Sequence, residues 1–166
     1  LPLSFLSQAK NLALEGMQKA KPLRSKVAEF DDADVFIDVT MPKPQLIIVG
    51  GVHISIPLVT IAKTIGYYTI IIDPRKAFCN LERFPHADKL MPMFAKQALE
   101  TLPITSSSAV AVLTHDPKID DEALICALNS PAFYIGGLGS KRTQALRHER
   151  LLKAGFAEEQ LQRIKG

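Results

Sequence analysis

From residue 46 onward the chain alternates uninterrupted apolar runs with amphipathic stretches and polar, glycine-rich or proline-rich breaks. Leu46-Ile47-Ile48-Val49 lacks polar alternation, the pattern of a strand covered on both faces in a parallel sheet. Gly50-Gly51 turns the chain into a helix expected from Ile54 to Ile65, with Pro57 tolerated in the first turn and Gly66 at the end. Tyr68 to Ile72 reads as a second buried strand, stopped by Asp73-Pro74-Arg75. Lys76 to Glu82 reads as a loop or short helical turn, Ala87 to Leu90 as a short strand and Lys96 to Leu102 as a short helix. Ala109 to Leu113 is a third strong strand, closed by Thr114-His115-Asp116-Pro117, and Asp120 to Leu128 a helix with Ala123, Leu124 and Leu128 on one face. Phe133-Tyr134-Ile135 is a fourth strand, ending in Gly136-Gly137-Leu138-Gly139. Ser140 to Lys153 is the longest helix, with a short one near Glu158 to Arg163. Buried strands alternating with helices predict an α/β fold, an open parallel sheet with helices on both faces and right-handed crossovers.

The first third is different. Residues 6–20 read as a short helix with a loose apolar face, weakened by Gly16, residues 21–33 as a polar linker, and Asp34 to Val39 as a strand around Val35-Phe36-Ile37, stopped by Met41-Pro42-Lys43-Pro44. The expected division is therefore an amino-terminal helix and linker over 1–33 and an α/β domain over 34–166. A chain of 166 residues, 47% hydrophobic and 22% charged, is ordinary for a globular protein and excludes a disordered one. Every uncharged stretch is broken before bilayer-spanning length, so no membrane span is expected. Two cysteines cannot build a disulfide framework or a four-ligand zinc site, and point to a reducing, cytoplasmic setting. The chain opens on Leu1-Pro2-Leu3 without an initiator Met, as a cut start would, and shows no signal-peptide pattern.

Charge is unevenly placed: of a net +3, residues 141–166 carry +4 and the rest about −1. This excess is either a solvated basic face or an anion site. Nucleic acid is not expected, since Phe156 is the segment's one aromatic and single-strand binders stack bases on interleaved rings.

In such a sheet ligands bind at the carboxyl ends of the strands, near the reversal of strand order. Four strand ends carry polar or glycine-rich sets that should converge there: Gly50-Gly51-Val52-His53, Asp73-Pro74-Arg75, Thr114-His115-Asp116 and Gly136 through Arg142. The first turn departs from the dinucleotide fingerprint, with Val52 and Ser55 where its second and third glycines belong. It is either a tight turn or a place where an anion meets the helix amides. Asp73 stands where a ribose-binding acid belongs, and Arg75 offers a phosphate contact. Ser140 is a candidate N-cap, which puts Lys141 and Arg142 in a first helical turn, where cations are unfavourable unless an anion docks on the glycine loop. His53 and His115 end strands and are either structural or groups for proton transfer or metal contact, while Asp116 before Pro117 caps a turn or joins the site. Cys79, between Arg75 and Arg83, is either idle or a thiolate ligand for a soft metal, and Cys126 reads as core. No nucleophile–base pair stands out.

The blocks Leu46–His53, Ile72-Asp73-Pro74-Arg75 with Phe78, Arg83-Phe84-Pro85 with Ala87-Asp88, Val112 to Pro117, Ala123-Leu124, Tyr134 to Arg142 and Leu161 to Ile164 together resemble the XdhC/CoxI family over about residues 34–166. Its members are accessory proteins for molybdenum hydroxylases such as xanthine dehydrogenase and carbon monoxide dehydrogenase. Thr-His-Asp-Pro with Gly-Leu-Gly-Ser-Lys-Arg is the specific signal. The resemblance implies a Rossmann-like domain that binds the molybdenum cofactor (molybdopterin or its nucleotide form) and delivers it to a hydroxylase, without catalysis of its own. Its implied cofactor-binding residues are Gly50, Gly51, His53, Asp73, Arg75, His115, Asp116, Gly136, Gly139, Ser140, Lys141 and Arg142. It further implies a homodimer and contact with a cofactor-sulfurating enzyme. The chain departs from the family in three places: its first turn usually reads Gly-Ala-Gly-His, its separate amino-terminal domain corresponds here to residues 1–33 at most, and relatives continue past Lys165-Gly166 into a further glycine-containing segment and closing helix. An NAD(P)-dependent oxidoreductase, resting on the sheet pattern and Asp73 with Arg75, is the alternative. A degenerate interaction module, favoured by Val52, is the third reading.

Overall fold

The computed structural model describes residues 43–166, the backbone of two strands in the first third, and the helical positions Ser7, Lys10, Asn11, Ala13 and Leu14. The rest of the expected helix over 6–20, residues 21–25 of the expected linker, and the Met41-Pro42 stop lie outside the described residues. The chain divides into two compact units, Leu1–Pro42 and Lys43–Gly166. In the first, β1 (Lys26–Phe30) pairs antiparallel with β2 (Ala33–Ile37), Ala28 facing Val35 and Glu29 facing Asp34. The expected linker thus contains a strand, and the strand expected to open the α/β domain is its hairpin partner. Val27 and Phe30 supply the β-compatible residues that charged neighbours obscured in the sequence.

The second unit is a six-stranded parallel sheet. Its strands are β3 (Gln45–Val49), β4 (Tyr68–Ile72), β5 (Lys89–Met91), β6 (Ser108–Val112), β7 (Tyr134–Gly137) and β8 (Ile164–Lys165). The spatial order is β5-β4-β3-β6-β7-β8. Within the unit this is the 3-2-1-4-5-6 order of a doubly wound fold, with the reversal between β3 and β6. The helices are α1 (Ser55–Thr64), α2 (Ala95–Thr101), α3 (Pro117–Leu128), α4 (Lys141–Lys153) and α5 (Glu158–Leu161). The fold class is the expected Rossmann-like α/β arrangement.

Side chains of a strand alternate between faces, so each apolar run feeds two cores. Ile47, Val49, Ile70, Ile72, Val110 and Val112 form one with α2 and α3, joined by Leu151 and Leu161. Ile48, Ile71, Ala111 and Leu113 form the other with Val59 of α1. On that second face the β4–β5 connection contains no helix; Cys79 and Phe84 from it complete the core. No strand was expected at Ile164–Lys165, because two residues with one partly buried apolar side chain carry no periodicity. Its register, Ile135 with Ile164 and Gly136 with Lys165, is set by β7. No helix among the described residues is long and apolar enough to cross a membrane.

Candidate functional site

The strands end level with one another. Val49 sits opposite Ile72 on one side and Val112 on the other, and Val112 opposite Gly137. Ladder bonds then run one residue further: Gly50 N donates to Ile72 O (2.8 Å), Leu113 N to Val49 O (2.8 Å) and Leu138 N to Val112 O (2.9 Å). The four polar strand ends therefore open on one edge of the sheet, around the reversal point.

At the first turn Gly50 has φ +113°, a left-handed conformation that favours glycine, and an added Cβ would lie 2.8 Å from Thr114 Cγ2. A Cβ on Gly51 would lie 1.9 Å from the Phe78 carbonyl oxygen. The β4–β5 connection therefore passes directly over this turn. Asp73 fastens it there. Its carboxylate accepts from Gly51 N (2.9 Å), Arg75 N (3.0 Å), Arg75 Nε (2.9 Å) and Arg75 Nη2 (2.7 Å). Asp73 is 0% exposed. Burial pushes its pKa up, but the hydrogen bonds and charge of Arg75 and the Gly51 amide outweigh this and hold it below the usual carboxylate range. The Arg75 guanidinium lies 4.1 Å from the centre of the Phe78 ring and that of Arg83 5.3 Å from it. Arg83 Nη2 donates to Gly51 O (3.2 Å), while its buried Nε has no hydrogen-bond partner. Phe78 and Arg83 thus join the first turn, which their position in an irregular connection did not announce.

At the end of β6, His115 has φ +66°, a left-handed conformation uncommon outside glycine, and its side chain is exposed. Asp116 caps α3, accepting from Lys118 N (3.0 Å), with Pro117 in the first turn. The helix so begins at Pro117 rather than the expected Asp120. The pKa of Arg75 is raised: its side-chain hydrogen bonds to Asp73 outweigh burial, and the charges of Asp73 and then Asp116 add to them.

At the end of β7, Ser140 is the expected N-cap of α4: Thr143 N donates to its Oγ (3.2 Å). Lys141 and Arg142 occupy the first turn, exposed and without an ion-pair partner among the described residues. Gly139 precedes the cap and is half-buried. Gly136 departs from expectation. It lies inside β7 between Ala111 and Lys165, so its backbone belongs to the sheet and not to the loop. His53 stands exposed just before α1 and offers its carbonyl to Ile56 N (3.3 Å).

Of the two readings of Cys79, its surroundings match the idle one. Cys79 is 5% exposed within the second core, its Sγ donates to Ile71 O (3.5 Å), and burial, outweighing backbone hydrogen bonds from Met91 and Asp73, pushes the thiol's pKa up. No cluster of potential metal ligands occurs among the described residues. Cys126 is partly buried against the first core, as expected.

Beneath the rim lies a buried charge pair that sequence reasoning missed. Arg147 of α4, 2% exposed, places Nη2 3.3 Å from Asp120 Oδ2 of α3. The available signal was one charge on the inward stripe of each of two successive helices: Asp120 among Ala123, Leu124 and Ala127, and Arg147 above Leu151.

A doubly wound parallel sheet in this strand order, with a polar, partly cationic rim at its reversal point, defines a Rossmann-type α/β domain. The chain belongs to the XdhC family, the model of whose XdhC Rossmann domain matches residues 46–166. It is 34% identical over 114 residues to a probable xanthine dehydrogenase subunit of Bacillus subtilis, covering 68% of this chain and 34% of that protein. It is 29% identical over 131 residues to the uncharacterized protein YqeB of Escherichia coli, covering 78% of this chain and 24% of the relative. Among solved structures it is similar to a protein described as a xanthine dehydrogenase from Bacillus halodurans, with TM-score 0.64 and 34% identity, covering 75% of this chain and 35% of that one. The chain therefore spans about a third or less of the length of these relatives.

Proposed function

We propose that this protein is an accessory factor of a xanthine dehydrogenase-type molybdenum hydroxylase, and that its rim binds the molybdenum cofactor for delivery to that enzyme. Membership of the XdhC family and the names of its relatives support the association. The observation that carries cofactor binding is the placement of Lys141 and Arg142. In the first turn of α4 each opposes the helix dipole by about 0.3–1 kcal/mol. Neither is compensated by a carboxylate among the described residues. A phosphate at the loop before α4 would meet both cations and the free amides of the helix start.

The residues present fit the anionic end of the cofactor. Besides Lys141 and Arg142, the rim offers the exposed His115 and His53. When bound, the cofactor supplies the redox-active molybdenum centre that the hydroxylase uses. This chain's part is to hold the phosphate, exclude competing anions and release the group to a partner. The site residues of this reading are His53, Arg75, His115, Asp116, Gly139, Ser140, Lys141 and Arg142.

The nicotinamide reading is weaker. A ribose would need Asp73 as acceptor, yet both of its oxygens already receive two donors each from Gly51 and Arg75. A pyrophosphate would need the Gly51 turn, over which the Phe78 carbonyl lies. The test is mass spectrometry of small molecules released from the full chain purified from cells that make the cofactor. A molybdopterin-derived pterin is expected. Its absence, with no binding of added cofactor, would overturn the reading.

A further inference from the structure

We propose that Arg147, Asp120 and Thr114 form a positioning device that locks the loops of the rim into one shape, and that ligand affinity at the rim depends on it; the second half rests on the cofactor-binding reading above. The Arg147 guanidinium touches no ligand. From α4 it reaches back to the β7 end, where Nη1 donates to Gly137 O (3.1 Å) and Nη2 to Leu138 O (3.0 Å). Gln144 Oε1 accepts from Nη1 (2.7 Å), and Gln144 Nε2 donates to Gly137 O (2.6 Å). The glycine at 137 belongs to this arrangement, because an added Cβ would stand 2.7 Å from Arg147 Nη1. The β7 loop is thus held by its carbonyls from below.

The same guanidinium faces Asp120 Oδ2, and the other carboxylate oxygen, Oδ1, accepts from Thr114 Oγ1 (2.5 Å). That hydroxyl in turn accepts from Asp116 N (3.0 Å). Between Thr114 and Asp116 stands His115, in its left-handed conformation. The other arm of Thr114, Cγ2, is the atom an added Cβ on Gly50 would meet at 2.8 Å. One chain of contacts therefore runs from the glycine loop before Lys141, through two buried charges, to the loop carrying His115 and on to the first turn.

A stabilising role alone is a poor account of this pair, since well-packed apolar side chains of similar volume do as well or better in such a place. What apolar residues cannot do is grip two carbonyls and a hydroxyl at once and so fix backbone conformation. A left-handed, non-glycine residue persists where its surroundings over-determine it, and here the network supplies that determination.

The test compares the full chain with the double variant Asp120→Leu/Arg147→Met, which removes both charges and leaves neither unpaired, and with Thr114→Val, which keeps the ion pair and cuts only the hydroxyl link. Two readouts are taken: amide hydrogen exchange of Leu138–Ser140 and His115–Asp116 without ligand, and titration with inorganic pyrophosphate. The proposal expects both variants to melt near the wild-type temperature, exchange at least about tenfold faster at both loops in the double variant and at the His115 loop in Thr114→Val, and bind pyrophosphate about tenfold more weakly. A merely structural pair would leave loop exchange and affinity alone, whatever happens to melting. Unchanged exchange at both loops overturns the proposal, whatever the ligand proves to be. Loosened loops with unchanged pyrophosphate affinity overturn its second half. Loosened variant loops in a protein whose wild type ignores both pyrophosphate and molybdopterin remove the cofactor reading and leave the loop-setting role standing.

Discussion

Asp73 is wholly buried and still charged, because four donors meet its two oxygens. Its folded pKa is depressed below the unfolded value of about 3.9. Its contribution to stability is therefore present above about pH 4 and is lost as pH falls through the folded value. Asp88, which accepts from Lys63 Nζ (2.6 Å) and Thr69, is depressed too, its bonds to Lys63 and Thr69 overcoming the cost of burial, and it adds the same sign. Urea midpoints measured from neutral pH down to about pH 3 should fall more steeply for wild type than for Asp73→Asn; equal slopes would contradict the assignment. Gly51→Ala forces a methyl against the Phe78 carbonyl and should cost at least ~1–3 kcal/mol in denaturant melts. Lys141→Ala and Arg142→Ala should do the reverse. Each relieves ~0.3–1 kcal/mol of repulsion from the helix dipole, so melting temperatures should hold or rise while pyrophosphate affinity falls. A marked loss of stability would show that these side chains serve the fold.

At the scale of elements, α3 and α4 combine apolar packing with the buried pair. Leu124, 0% exposed in the first core, should cost ~2–5 kcal/mol on replacement by Ala, read from urea unfolding. Arg147→Ala leaves Asp120 uncompensated and should cost about 3–5 kcal/mol, far more than Asp120→Leu/Arg147→Met. Equal losses in the two would mean that the charge is not what matters there. The long apolar runs of β3, β4 and β6, and the helices between them, were legible because burial on both faces leaves no polar alternation and each break carries Gly, Pro or Asp. Ser140 was legible as a helix cap because capping needs particular side chains, whereas Asp116 read only as capping a turn and the helix it starts was expected three residues later. β1 and β8 were not legible. The first is a five-residue strand in which charged residues interrupt the apolar ones, and the second is two residues long and paired by its neighbour. Gly136 was misplaced for a related reason: a pair of glycines reads as a loop, although β7 continues through both.

For the whole molecule, the legible part of the site was its location. Strand-end chemistry in a doubly wound sheet has one edge on which to gather, and the register of β4, β3, β6 and β7 puts it there. The division of labour along that edge was hidden, because it depends on contacts between loops far apart in the chain. Asp73 and Arg75 bind each other, and the β4–β5 connection covers the first turn. The β6 and β7 loops, by contrast, keep His115, Lys141 and Arg142 exposed over a buried ionic support. That asymmetry favours a ligand seated towards α4 rather than a dinucleotide laid across the first turn. The most direct measurement is equilibrium titration of the full chain with the molybdenum cofactor, wild type beside Lys141→Glu/Arg142→Glu. Saturable binding by wild type, weakened about a hundredfold or more by reversing both charges, is the expected result. Equal binding by the two proteins, or none by wild type, would contradict a cationic cofactor seat at the start of α4.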